Sequence, residues 1–431
     1  MVLADLPAIF IMVGIAAYAV LAGADFGAGA WTLLSGSGEA GRRLRDHARH
    51  SIGPVWEANH VWLIFILVIC WTAYPTAFGS ITSTLGIPLY LAAIGIILRG
   101  SAYALRGPAE DTRQAAPIER LFGLSSILTP FALGTVIGGI ASARVPVGNS
   151  AGHEWSSWLN PTSVLLGVLF VATSAYLAAV YLAADARRLQ EPDLEHGIRL
   201  RALGSGIVAG GLALAGLLVI RSDARPIWDG LTSGVGVAAL VVSGLAGIAT
   251  LALVWRARYE AARAGAAIAV GAIVAGWAIA QQPRLLPGLS VHEAAAPHST
   301  LVALIIGVGV GLLILLPSLA LLFRLLLRGA FDPVPPGAGE APASAPAAAR
   351  RAPRRPAAPV VLLVAGAILT VISDSFWTQI AGIVAMLAFI ATMLPRVAVL
   401  GAGDAQIAAP PAPSASGDPE RGADGGDDRA T

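Results

Sequence analysis

The chain has 431 residues, of which 56% are hydrophobic and 13% charged. A soluble domain carries about a quarter charged residues, so this composition places the protein in a membrane. All 28 basic residues are arginine, the net charge is +2, and nothing in that balance suggests a nucleic-acid partner. The single cysteine, Cys70, excludes an intrachain disulfide and any Cys-rich metal or iron–sulfur site. It lies within an apolar run and reads as a small buried hydrophobe.

Runs of about twenty apolar residues predict membrane-spanning helices. They fall at 6–34, 57–79, 81–103, 121–143, 161–184, 203–220, 231–255, 263–281 and 300–327, nine in all. The first run has no basic front and is long enough to span, so no cleavable signal peptide is expected. Open backbone cannot face lipid, so the fold class is an all-α polytopic membrane protein with a nine-helix core over 1–329. Arginine position supports the count: connections after the odd-numbered runs, together with the run-end Arg99, Arg263 and Arg324 that flank them, hold 21 arginines and those after the even-numbered runs hold 4. The positive-inside rule then puts the N-terminus outside and the odd connections in the cytoplasm.

Residues 330–359 are rich in Ala, Pro and Arg and predict a disordered cytoplasmic linker. Two more apolar runs, 358–373 and 376–395, are broken by Ser373, Asp374 and Ser375. They predict a transmembrane hairpin over 360–400, with a pair of interfacial helices as the alternative. The tail 401–431 has six acids against two arginines and predicts disorder.

A carboxylate at mid-bilayer costs about 2.5–3.5 kcal/mol, so its presence needs a reason. Asp25 sits in the first run, within the stretch LAGADFGAGAW. It precedes Leu34 by nine residues, which is about 14 Å of helix. Gly23, Gly27 and Gly29 allow close helix approach, so Asp25 should face the bundle interior. The second run opens on Trp56, Glu57, Asn59 and His60, and Glu57 and His60, three apart, share a helix face. Arg99 ends the third run on the same side of the membrane.

A carboxylate held between a nearby arginine, which favours the charge, and burial, which opposes it, suits proton uptake and release. Each residue also has a plainer reading. Glu57 can serve only as a complement to a helix dipole, Asp25 as a hydrogen-bond hub, and Arg99 as a snorkelling anchor. His60 reads more readily as a packing histidine than as a ligand, and Trp56 and Trp62 can serve as interfacial belt residues. His60 is the histidine clearly inside a predicted span, and Met386 and Met393 lie outside the nine-helix core. A haem bound by this chain is therefore not expected. No phosphate loop, HExxH or paired-Cys motif is present, and the Gly134–Gly139 stretch reads as close helix packing.

Several segments resemble subunit II of the cytochrome bd quinol oxidases, the CydB family. They are Gly23–Gly29 (GADFGAG), Ile52–Ile64 (IGPVWEANHVWLI), Cys70–Phe78, Leu159–Gly167 and Ala175–Asp185. The W-[DE]-x-N-x-V-W pattern at the head of the second run is the most specific, and the resemblance covers about 1–328. It implies two four-helix bundles plus one peripheral helix, with residues 330–431 as an addition that has no counterpart in the family. It also implies a prokaryotic plasma-membrane location, a haem-bearing subunit I as partner, haem b and haem d in that partner, and quinol as substrate of the complex.

Lipid and small accessory subunits are further possible partners. The proton path the resemblance implies runs through Asp25, Glu57 and Arg99, supported by Trp56, Asn59 and His60. Glu57 stands where many relatives have Asp, His60 where they often have Gln, and Gly138-Gly139 where some have Gly-Asn. Two other classes are weighed beside this reading: a proton-coupled secondary transporter using Asp25 and Glu57, and a purely structural membrane scaffold.

Overall fold

The computed structural model describes residues 2–36, 38–52, 56–109 and 115–327. The predicted linker, hairpin and tail of residues 330–431 lie outside them.

The chain begins with α1 (Val2–Leu33), α2 (Glu39–Ile52), α3 (Trp56–Ala73), α4 (Pro75–Thr84), α5 (Gly86–Ala109) and α6 (Ala115–Ala141). It continues with α7 (Pro161–Arg188), α8 (Pro192–Asp223), α9 (Arg225–Leu231), α10 (Gly234–Trp255) and α11 (Tyr259–Gln281). A small antiparallel ribbon, β1 (Arg284–Leu286) with β2 (Leu289–Ser290), leads to α12 (Val291–Ala294) and α13 (His298–Leu327).

Among the described residues eight helices are long and apolar enough to cross a membrane: α1, α5, α6, α7, α8, α10, α11 and α13. The nine-helix count is thus not reproduced as nine long spans. The second predicted run divides, because Pro75 lacks an N–H and restricts the residue before it. Tyr74 takes φ −135° and ψ 62° there, and its hydroxyl donates to the Ala4 carbonyl at 2.5 Å. What remains of the run is a shorter apolar helix, Asn59–Ala73, followed by α4.

The helices pack as expected for two bundles. α1, α3, α5 and α6 form one, α7, α8, α10 and α11 the other, and α13 lies against α1 and α3 at the edge. α1 and α6 both pack on α7 and join the two halves. Small residues make those joints. A Cβ added at Gly134 would come within 2.6 Å of the Leu166 carbonyl oxygen, and one at Gly138 would collide with the Ser163 backbone. The Gly134–Gly139 stretch is therefore a close-packing surface, in keeping with helix association that relies on backbone approach rather than hydrophobic drive.

Two features of the fold were not predicted. Residues 39–52 form α2, whose buried Gly41, Leu44, His47 and Ala48 follow a helical period. His47 Nε2 lies 3.0 Å from the Leu182 carbonyl. Arg43 reaches Glu191 at 3.1 Å, and Arg45 and Arg49 pair with Glu119, so α2 ties down the ends of α6, α7 and α8. In addition, α7 and α8 extend beyond the apolar runs, so Arg187, Arg188, Arg199 and Arg201 lie in helices rather than in a loop.

At the opposite end of the bundle Arg144 grips Asp223 through two hydrogen bonds of 3.0 and 2.7 Å. Asp223 also accepts from the Thr162 N–H (3.1 Å) and hydroxyl (2.6 Å). This lock ties the ends of α6, α7 and α8 together. Hydrogen bonds to charged groups contribute about 1.5–3 kcal/mol. Asp223→Asn is expected to lower the thermal midpoint of the solubilised protein by several degrees, because it removes the charge while keeping the shape. An unchanged midpoint would show that the lock carries no stability.

Candidate functional site

The site is built on one face of α1. Tyr18, Leu21, Ala22 and Asp25 recur at helical spacing, and this face turns toward α3 and α5. Asp25 and Arg99 are each 2% exposed, so neither charge is solvated. Arg99 Nη2 donates to Asp25 Oδ1 at 2.5 Å and to the Asp25 carbonyl at 3.1 Å. Arg99 Nη1 donates to Ser126 Oγ, and the Ser126 hydroxyl donates to the Phe122 carbonyl at 2.6 Å.

The guanidinium carbon lies 5.1 Å from the Phe26 ring centroid and 4.3 Å from that of Phe122. Both distances suit cation–π attraction, which strengthens away from water. A buried ion pair has to recover a large desolvation cost through good geometry. Here a short charged hydrogen bond, a serine and two aromatic faces supply it.

Arg99 therefore does not end a span or snorkel to its edge. It lies well inside α5, which runs on to Ala109. Asp25 Oδ2 and Arg99 Nε remain buried with no hydrogen-bond partner among the described residues. A buried polar atom left unmade costs about 1–3 kcal/mol, so the open oxygen of Asp25 is a place where a proton or a water molecule would be stabilised.

α3 brings the second motif to the same face. Asn59 is 4% exposed, and its Nδ2 donates to the Leu21 carbonyl at 3.3 Å. His60 Nδ1 lies 3.4 Å from the Tyr18 hydroxyl, and its ring centroid is 6.1 Å from that of Tyr18 and 5.9 Å from that of Phe26. The structure thus gathers Asp25, Arg99, Asn59 and His60. The side chains of Trp56 and Glu57 lie outside the described residues, although both belong to the first turn of α3.

Tyr18, Phe26, Phe122 and Ser126 complete the site and were missed in the sequence. A usable signal was present for one of them: Ser125 and Ser126 are adjacent hydroxyls inside an apolar span.

Among the described residues no three His, Cys, Asp or Glu side chains are grouped to hold a metal ion. The His60 ring meets the Tyr18 and Phe26 rings in a three-ring cluster, with centroids about 6 Å apart pairwise.

A family model described as cytochrome bd terminal oxidase subunit II matches residues 3–326. The chain belongs to this family. Among curated members, the cytochrome bd ubiquinol oxidase subunit 2 of Bacillus subtilis is 30% identical over 31% of this chain and 38% of its own length. The cytochrome bd-I ubiquinol oxidase subunit 2 of Escherichia coli is 26% identical over 38% of this chain and 44% of its own. The chain thus spans less than half the length of these two relatives. A solved chain from the bd oxidase of Geobacillus thermodenitrificans superposes with a TM-score of 0.60 at 26% identity, covering 77% of this chain and all of that one. As a subunit II family member, the protein is a multi-pass membrane protein with the helical architecture described above.

Proposed function

We propose that this chain is the non-haem subunit of a quinol:oxygen oxidoreductase, supporting assembly of a haem-bearing subunit I and delivering protons to it. Subunit I would hold haem b and haem d and oxidise quinol. Each oxygen molecule reduced to two waters consumes four electrons and four protons, and the protons would enter from the arginine-rich side. That side is read as cytoplasmic, with the N-terminus outside a prokaryotic plasma membrane, from the 21 to 4 arginine asymmetry. Family membership supports the assembly. It lends no support to the transporter reading.

The observation that carries the proton path is the half-satisfied carboxylate: Asp25 Oδ1 is held by Arg99, while Oδ2 is buried with no hydrogen-bond partner among the described residues. Burial favours the neutral acid and the guanidinium favours the anion, so small changes nearby can load or release a proton. Glu57, placed on the first turn of α3, would pass protons inward to Asp25. The aromatic wall of Tyr18, Phe26 and His60 and the Asn59 tether would hold α3 against α1.

The test is Glu57→Gln in an assembled complex, followed by oxygen consumption and proton uptake from the arginine-rich side. Positioned proton transfer contributes at least about a hundredfold, so both rates are expected to fall together by that order. Glu57→Asp, which keeps the acid, should retain most of the activity. Wild-type rates in Glu57→Gln would remove Glu57 from the path.

A further inference from the structure

We infer that the corner formed by the ends of α6 and α11, the start of α9 and the β1–β2 ribbon binds the phosphodiester headgroup of a membrane glycerophospholipid. A cavity of about 220 Å³ opens there, walled by Ile140, Ala141, Ile227 and Leu286, with Gln281 and Arg284 at its polar side. Ala141 and Gln281 are the last residues of two spanning helices. The cavity therefore lies at the depth where the hydrocarbon core gives way to headgroups. At about 30 Å³ per water molecule it is several waters in size, enough for a phosphate and a short head alcohol.

The polar lining specifies the ligand. Arg284 makes no ion pair among the described residues, whereas the neighbouring arginines are committed, Arg144 to Asp223 and Arg225 to Asp229. Arg284 is solvent-exposed at the rim of the cavity, where an unpaired guanidinium favours an anion and a phosphate oxygen pair matches its fork geometry. Gln281 Nε2 donates to the Leu285 carbonyl at 3.5 Å, which orients the amide. Its Oε1 is then buried with no hydrogen-bond partner among the described residues. That oxygen requires a donor from the ligand. Phosphatidylethanolamine and phosphatidylglycerol carry one beyond the phosphate, and phosphatidylcholine carries none. The apolar walls would take the glycerol and the first acyl carbons.

The test uses the full chain with its co-purifying partner, stripped of lipid in detergent. It is titrated separately with phosphatidylglycerol, phosphatidylethanolamine, phosphatidylcholine and inorganic phosphate. Bound lipid is read by native mass spectrometry and stabilisation by the thermal midpoint. Arg284→Ala is expected to raise the half-saturating concentration of phosphatidylglycerol about tenfold, the scale of one charge-assisted hydrogen bond. Arg284→Lys should retain binding and Gln281→Glu, which repels phosphate, should lose it, so these two variants decide if Arg284→Ala fails to fold.

Wild-type protein should prefer phosphatidylethanolamine to phosphatidylcholine several-fold, and Gln281→Met should erase that preference. Equal binding by wild type and Gln281→Glu, or no preference against phosphatidylcholine in the wild type, would overturn the inference. The same stabilisation from inorganic phosphate alone would replace the lipid with a free anion and overturn it as well.

Discussion

Asp25→Asn is expected to stop turnover in a complex that also assembles poorly, while Asp25→Asn combined with Arg99→Met is expected to assemble again and still not turn over. Removing one partner of a buried pair leaves the other charge uncompensated, which costs about 3–5 kcal/mol. The Arg99 guanidinium, 2% exposed and lying between Phe26 and Phe122, would be left as an unpaired buried charge in such a variant. Replacing both partners by neutral groups of similar size is often close to neutral for stability, so the double variant separates the two roles of Asp25.

Assembly is read from the yield of the subunit I–subunit II complex and its haem absorbance, and function from oxygen consumption and proton uptake. Loss of a positioned proton carrier should cost at least about a hundredfold in rate. Full turnover in the double variant would reduce the pair to a structural hub, the scaffold reading weighed from the sequence. Full turnover in assembled Asp25→Asn would take Asp25 off the path. The non-additive assembly term between the single and double variants measures the pair itself.

Gly27→Ala is expected to prevent stable assembly, whereas Gly23→Ala, one turn away, is expected to be tolerated. A Cβ at Gly27 would collide with the Ser174 carbonyl and lie 2.8 Å from the Ala178 side chain. The obstacle is the backbone of α7, which cannot swing aside as a side chain can. α1 and α7 would have to part through the core they share, which includes Ala24, Ala28, Leu177 and Ala178. Overpacking of this kind costs about 3 kcal/mol.

At Gly23 the nearest atoms are Leu177 Cδ1 at 3.2 Å and Ser174 Oγ at 3.6 Å, both ends of side chains that can move. That change should stay within about 1 kcal/mol. Yield of assembled complex and the thermal midpoint distinguish the two, and equal values would show that α1 and α7 do not depend on this contact. Gly29 ties packing to the site itself. A Cβ there would meet the Ser126 side chain and come within 2.7 Å of Arg99 Nη1, displacing the guanidinium from Asp25.

Much of the site was legible in the residues. Asp25 inside an apolar run, glycines around it, and the Trp56–His60 motif at the head of the next run mark two of its helices in the sequence. Arg99 was legible as a residue but not as a position, because its helix continues to Ala109 beyond the apolar segment. Ser126 and the two phenylalanines were hidden because their contacts depend on helix rotation. α2 was hidden for a different reason: its apolar face is narrow and its charges, read alone, suggest a loop.

The sequence by itself determined that this is a polytopic helical membrane protein, because bilayer thickness and the need to satisfy every backbone group impose long apolar runs that a one-dimensional scan detects. It also determined where charge is buried against its preference, since a carboxylate in such a run stands out without any partner in view. The tertiary structure alone decided what that carboxylate meets. Asp25 and Arg99 are 74 residues apart, and in a membrane both the lipid-facing and the core-facing sides of a helix are apolar. The hydrophobic periodicity that fixes helix rotation in a soluble protein is therefore absent. Rotation, and with it the pairing of Asp25, Arg99 and Ser126, is set by which glycines let which backbones touch.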